Sequence, residues 1–251
     1  MTNKLSFDEQ LALVESRSAA LRAAVGEAGD LGARVPGCPD WSLRDLVTHL
    51  GEVHRFWTAT VLAGPAGKPP SETSIEGVTA HGDLLEWSAE STGLLLTTLR
   101  DAGPDRECWA WWGSSGAPMT SGAVARHQIQ EAAVHAYDAQ LAVGGPEPVP
   151  FPVAADGIAE FVEVGLGSEG PWPHPAARVG LRAAEGPSWV IELTPSGAAF
   201  AVSGGTDPEV VLHGPATDLV LWLHRRVPLD RVRVEGDRDL AERLLAWPSL
   251  D

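Results

Sequence analysis

Lysine is almost missing from this sequence. Only Lys4 and Lys68 occur, and the 18 Lys+Arg residues face 34 Asp+Glu, for a formal net charge of -16. An acidic excess of that size, with no basic stripe interrupting it, is the opposite of what a phosphate backbone attracts, so nucleic acid is excluded as a partner. Long apolar runs are missing too. None reaches the roughly 18–20 consecutive residues that a membrane helix needs, and Met1 to Glu9 contains no apolar signal region. The expected location is therefore the cytoplasm, with no membrane partner. Cysteine is equally scarce: Cys38 and Cys108 are too few for a disulfide framework in 251 residues and read as free thiols of a reducing compartment.

What is present is enough apolar material, 44% of residues, to fill a sizeable core. The preference for arginine over lysine, with abundant Ala, Gly, Pro and Trp, is the usage of a high-GC genome and hints at an actinobacterial source. Phe7 to Gly29 carries apolar residues at helical spacing (Leu11, Val14, Leu21, Val25) and ends in glycine, which predicts an amphipathic helix. Val35 to Trp41, with two prolines and a glycine, reads as a turn. Ser42 is placed to cap a second helix from Leu43 to about Leu62, with Asp45 in the capping-box position. Gly64 to Ser74 is a Pro/Gly-rich loop, and further helices are expected over His81 to Ala102 and Ser121 to Val143. Residues 1–145 are thus expected to form a four-helix bundle.

Gly144 to Pro152 breaks the composition as a linker does. Beyond it a short helix near Ala154 to Val164 precedes strand-like runs at Ala177 to Leu181, Trp189 to Leu193, Ala198 to Val202 and Val210 to Leu212. A helix from Gly214 to His224, a strand at Val232 to Val234 and a last helix from Asp237 to Trp247 complete residues 153–251 as a small α+β domain. The fold class expected for the whole chain is α+β.

The fourth predicted helix holds His127, Glu131, His135 and Asp138, at steps of four, four and three. At about 100° per residue these share one face, so the helix can offer a carboxylate and an imidazole to a single ion. Glu131 and His135 suit zinc and are compatible with other divalent metals. A catalytic zinc keeps about three protein ligands and an open position, and His49 on the second helix is the leading candidate for the third, with Glu52 one turn away as a substitute. Asp138 is placed to support His135 from behind, and His127 is either a nearby supporting group or a surface residue. His54, His81, His174, His213 and His224 read as structural or exposed. Trp109, Trp111 and Trp112 read as packing. Cys38, in its Pro-Gly-Cys-Pro turn, reads as structural.

The segments Val35-Pro-Gly-Cys-Pro-Asp-Trp-Ser-Leu-Arg-Asp-Leu-Val-Thr-His-Leu-Gly-Glu-Val-His54 and His127-Gln-Ile-Gln-Glu-Ala-Ala-Val-His-Ala-Tyr-Asp138 resemble the two metal segments of the mycothiol-dependent maleylpyruvate isomerase family, whose bundle is shared with DinB-like proteins. Val211 to Arg226 and Val234 to Asp237 resemble its C-terminal domain. The resemblance implies a DinB-like bundle followed by a small α+β domain, with His49, Glu131 and His135 as zinc ligands. It also implies mycothiol as thiol cosubstrate, acting on a small-molecule electrophile. The thiolate would either add to a double bond and leave again, giving cis–trans isomerisation, or be transferred to the electrophile. The family further implies a substrate-binding arginine in a Leu-x-Gly-Arg pattern. That pattern falls on Leu223-His-Arg-Arg226, which makes Arg226 the candidate catalytic residue, although Arg225 stands where the family has glycine. The competing readings are a non-catalytic or regulatory metal-binding bundle and a metal-dependent hydrolase using another nucleophile.

Overall fold

The computed structural model of the protein describes residues 5–201 and 205–248. Its first half is built on four long helices, α1 (Phe7–Glu27), α2 (Leu43–Ala63), α3 (Leu84–Ala102) and α4 (Ser121–Ala142). Each begins on a residue whose side chain accepts from the otherwise unpaired first-turn N–H groups. Ser6 and Ser42 form full capping boxes with Glu9 and Asp45, Asp83 accepts from the amides of Leu85 and Glu86, and Thr120 accepts from that of Ala123. The third helix starts at Leu84, short of the predicted His81, because Asp83 supplies this cap.

The segment expected to be a turn is a short hairpin, β1 (Arg34–Val35) with β2 (Cys38–Ser42). The amides of Leu43 and Arg44, at the head of α2, donate to the carbonyls of Ala33 and Leu31 at 2.9 Å each. This clamps the hairpin onto the first turn of the helix that carries His49. Prolines at both ends of the Pro-Gly-Cys-Pro segment suggest a turn, and the pairing of Arg34 with Ser42 across it makes it a ribbon.

The bundle core beneath the hairpin joins Leu21 and Val25 of α1, Leu43, Leu46, Val47 and Leu50 of α2, Trp87 of α3, and Ala136 and Ala139 of α4. Gly51 lets α2 approach α3, since a Cβ there would collide with the Trp87 indole. Below this contact lies a buried polar set. Arg55 Nε donates to Ser91 Oγ at 2.8 Å, and Arg22 Nη1 donates to Thr92 Oγ1 at 2.9 Å. His54, fully buried, places Nδ1 3.2 Å from Thr92 Oγ1. No helix among the described residues is long and apolar enough to cross a membrane.

The described chain divides into two compact units: residues 5–111 with 118–149, and residues 112–117 with 150–201 and 205–248. The second unit begins with α5 (Phe151–Glu160), which continues as a π-helical turn over Phe161–Leu166. Its sheet, β3 (Ala177–Ala183), β4 (Ser188–Thr194), β5 (Gly197–Phe200), β6 (Val210–Gly214) and β7 (Arg233–Gly236), has the order β5-β4-β3-β6-β7. All neighbours are antiparallel except β3 and β6, which run parallel with Val179 opposite Val210. The predicted strand end at Val202 lies outside the described residues. Helix α6 (Ala216–Leu223) packs on α5, and α7 (Arg238–Ala246) closes the unit.

Arg225 ends α6 with φ at 60°, the left-handed region, and is the one non-glycine residue with positive φ among those described. That conformation costs a side-chain-bearing residue about 1–2 kcal/mol. Its guanidinium donates to the carbonyl of Leu245 at 3.0 and 2.7 Å and to that of Pro248 at 2.7 Å, capping the end of α7.

Two glycines of the bundle should respond oppositely to alanine. Gly51→Ala is expected to lower stability by about 1–3 kcal/mol through overpacking against Trp87. Gly93→Ala, on the exposed side of α3 with nothing near its Cβ position, is expected to raise it by about 0.5–1 kcal/mol. Denaturant midpoints of the two variants measure both signs.

Candidate metal centre

Residues 131 and 135 are four apart on α4, so their side chains stand one above the other on one face of that helix. The face meets α2 at His49. Nε2 of His49 lies 3.7 Å and Nε2 of His135 lies 3.5 Å from Glu131 Oε2, and one donor atom from each of the three residues falls within 4.8 Å of the others. A tetrahedral ion with bonds of about 2.0–2.2 Å sets its nitrogen and oxygen donors about 3.3–3.5 Å apart, so the observed separations suit such an ion within a few tenths of an ångström. Glu131 Oε2 is buried and accepts no hydrogen bond. A carboxylate oxygen in that position is costly unless a cation answers it, and two imidazole nitrogens converge beside it.

Asp138, completely buried, approaches His135 Nδ1 to 3.1 Å. With Nδ1–H donated to this carboxylate, Nε2 is the nitrogen directed at Glu131. Burial by itself would lower the pKa of His135, but the carboxylates of Asp138 and Glu131 outweigh it and push the value up to about 9. For Glu131 burial again acts alone in the unfavourable direction, while the His135 and His49 imidazoles hold its carboxyl well below the usual range. Without metal, then, the group is an imidazolium–carboxylate cluster.

Trp41, from the hairpin, lays its ring 4.7 Å from that of His49 and 5.9 Å from that of His135. His127 comes within 3.8 Å of Glu131 Oε1 and stands between the rings of Trp111, at 5.6 Å, and Trp57, at 6.1 Å. It is thus beside the cluster and not a surface residue, and Trp111 packs on it. Glu52, the substitute ligand, joins no metal-competent donor group among the described residues. Burial raises its carboxyl pKa, against His49 and with Glu72. His54 is a core histidine, driven down to about 3 by burial with Arg22 adding to the effect, and therefore neutral.

Sequence reasoning missed two neighbours of the cluster, Trp41 and Cys38. Cys38 Sγ lies 3.8 Å from Asp138 Oδ2, a contact between residues 100 apart in the chain that only the folded hairpin creates. Cys108 takes no part in the cluster: it is buried, its thiol is pushed up to about 11 by that burial against the pull of Arg106, and it belongs to no metal-competent group among the described residues. In the second unit, Arg226 is half-buried and its Nη1 donates to the His224 carbonyl at 2.8 Å.

A helical bundle that brings two histidines and a glutamate from facing helices within a metal's reach, followed by an α+β unit, defines a class of two-unit bundle proteins. Within that class the assignment is specific. Residues 11–140 match the model of the mycothiol maleylpyruvate isomerase N-terminal domain and residues 152–243 that of the corresponding C-terminal domain, so the chain belongs to this family. Among solved structures, that of mycothiol-dependent maleylpyruvate isomerase is similar in fold at a TM-score of 0.64 and 16% identity, covering 93% of this chain and 95% of that one. A histidine-to-alanine variant of that enzyme matches at a TM-score of 0.63 and 15% identity with the same coverage. No curated protein matches the sequence.

The pKa of His135 sets the sign of a pH effect in the metal-free protein. A group raised from 6.5 to about 9 contributes stability that is complete below 6.5 and is lost as pH rises through about 9. Urea unfolding of the metal-free protein is expected to give a lower midpoint at about pH 10 than at about pH 6, and His135→Gln is expected to shrink that difference.

Proposed function

We propose that the protein is a zinc-dependent enzyme of the cytoplasm that uses the thiolate of mycothiol as nucleophile toward an electrophilic small molecule. The observation that carries this reading is the buried Glu131 Oε2, which accepts no hydrogen bond, with the Nε2 atoms of His49 and His135 at 3.7 and 3.5 Å. Membership of the family supplies the thiol. Zinc held there supplies Lewis acidity that brings a thiol to its thiolate near neutral pH.

The residues of the chain divide the remaining work. His49, Glu131 and His135 hold the ion, and with one carboxylate against two positive charges they leave a net positive site that favours an anionic nucleophile. Asp138 keeps His135 in the tautomer whose lone pair faces inward. Trp41 packs its ring against both imidazoles on the hairpin side. Addition of the thiolate to an activated cis double bond turns that bond single, rotation follows, and expulsion of the same thiolate gives the trans product. With an electrophile that offers no elimination route, the sulfur stays attached and the outcome is S-transfer.

Arg226 is proposed to hold the acidic end of the substrate, because a guanidinium pairs a carboxylate in bidentate fashion and keeps its charge at any relevant pH. Arg225 is not available for this role, since its guanidinium is committed to the carbonyls of Leu245 and Pro248.

Loss of a ligand should exceed the roughly 10–100-fold affinity cost of losing a supporting partner. Elemental analysis is therefore expected to show strongly reduced zinc in His49→Ala, Glu131→Gln and His135→Ala, and full zinc in all three would remove the assignment. Mass spectrometry of products from the zinc-loaded protein with mycothiol and maleylpyruvate, then with epoxides and Michael acceptors, reads the reaction class. Formation of product with water as the sole nucleophile would identify a hydrolase, and a lack of turnover with every electrophile would favour a regulatory protein.

Arg226→Ala is expected to leave zinc content unchanged while lowering kcat/KM for a carboxylate-bearing substrate about 10–100-fold, the equivalent of a charged hydrogen bond. Arg226→Lys should restore part of the loss and Arg225→Gly should show none. Unchanged kinetics in Arg226→Ala would exclude the residue from substrate binding.

A further inference from the structure

His135 has two ring nitrogens, and the proposed zinc site uses only one. On the other side of the ring a second set of donors converges. Cys38 Sγ lies 3.8 Å from Asp138 Oδ2, His135 Nδ1 lies 3.1 Å from the same oxygen, and the three donor atoms all fall within 4.8 Å of one another. We propose that Cys38, Asp138 and His135 form a second cation position, selective for thiophilic divalent ions such as cadmium or excess zinc.

The distances support an ion there without rearrangement of the backbone. Bonds of about 2.3 Å to sulfur and about 2.0–2.2 Å to nitrogen and oxygen place tetrahedral donors about 3.6 Å apart for sulfur and oxygen and about 3.3 Å apart for nitrogen and oxygen. The observed 3.8 and 3.1 Å differ from these by a few tenths of an ångström. A sulfur, nitrogen and oxygen set favours borderline and soft ions over magnesium or calcium. Asp138 is fully buried and His135 nearly so, while Cys38 is half-buried, so an ion enters from the hairpin side past the cysteine.

Proton and charge accounting close. An ion held there would replace two protons, that of the Cys38 thiol and that on His135 Nδ1, each released to solvent, and with both positions filled the imidazole would count as an imidazolate. Two divalent ions then carry four positive charges against Glu131, Asp138, the Cys38 thiolate and the imidazolate, four negative charges. A neutral total is what a largely buried pair of ions requires. The position shares His135 with the proposed zinc site but stands on its own donor geometry, so either can fail without the other.

Cadmium titration of the metal-free protein tests it, followed by equilibrium dialysis and by the ultraviolet charge-transfer absorption that a thiolate gains on binding cadmium. The wild-type protein is expected to take up two equivalents, one with the thiolate band. Cys38→Ser, matched to wild type in helical content by circular dichroism, should lose the band and one equivalent. Glu131→Gln should keep the band while losing the other equivalent, and Cys108→Ala should keep both. A measurement that needs no variant accompanies these: bound cadmium should slow alkylation of Cys38 by iodoacetamide, read by peptide mass spectrometry. The proposal is overturned if wild type shows no thiolate band, if the band survives in Cys38→Ser, or if cadmium leaves Cys38 alkylation unchanged. Undiminished uptake in Glu131→Gln would instead count against the zinc-site reading.

Discussion

A carboxylate oxygen buried beside two imidazoles and given no hydrogen-bond donor is the constraint around which the bundle is arranged. Removing a charge from water costs several kcal/mol unless opposite charge meets it, so Glu131 is tolerable only if His49 and His135 are held where they can share a cation with it or answer it as imidazolium. Holding them takes the rest of the unit. His49 is positioned by α2, whose first turn is clamped by the hairpin amide bonds to Ala33 and Leu31 and whose approach to α3 depends on Gly51 beneath Trp87. His135 is positioned by α4 and by Asp138 at its far nitrogen.

The bundle contains two buried histidines with opposite electrostatic fates, and their partners explain the difference. His54 faces a hydroxyl and lies under the influence of Arg22, so burial prevails and its pKa falls to about 3. His135 suffers the same desolvation but faces two carboxylates, and its pKa rises to about 9. The first behaves as a neutral core residue. The second is a cation in the metal-free protein and becomes a neutral ligand only by giving up a proton, so metal uptake and proton release are coupled at this residue.

In the second unit Arg225 shows how a strained backbone position can be offset. Glycine suits the left-handed C-terminus of α6, and arginine there stores about 1–2 kcal/mol of backbone strain. Three hydrogen bonds to the carbonyls at the end of α7 offset it. The same bonds fasten two helices of the unit together and take Arg225 out of consideration as a substrate ligand.

Much of this architecture follows from local sequence rules, because helices and caps depend on residues three or four apart. Ser42 with Asp45 marked the start of α2, and the 127-131-135-138 spacing put four polar groups on one face of α4. The π-helical turn after α5 and the hairpin in place of a turn were not legible, since each depends on where the chain packs and not on its local pattern. Identity of the proposed ligands was half-visible: Glu131 and His135 announce each other at a helical step, whereas His49 became the third partner by proximity across helices and Glu52, one turn away, did not. Cys38 and Trp41 lie within the first motif, but nothing in their local spacing placed them beside His135. Their places beside His135 arise because the hairpin packs against α4, which brings residues about 100 apart in the chain together. Sequence by itself determined the helices, the acidic character and the family, all encoded in short-range patterns and motif wording. Only the tertiary structure decided which donors stand within a metal's reach, because that depends on distances of a few ångströms between segments far apart in the chain.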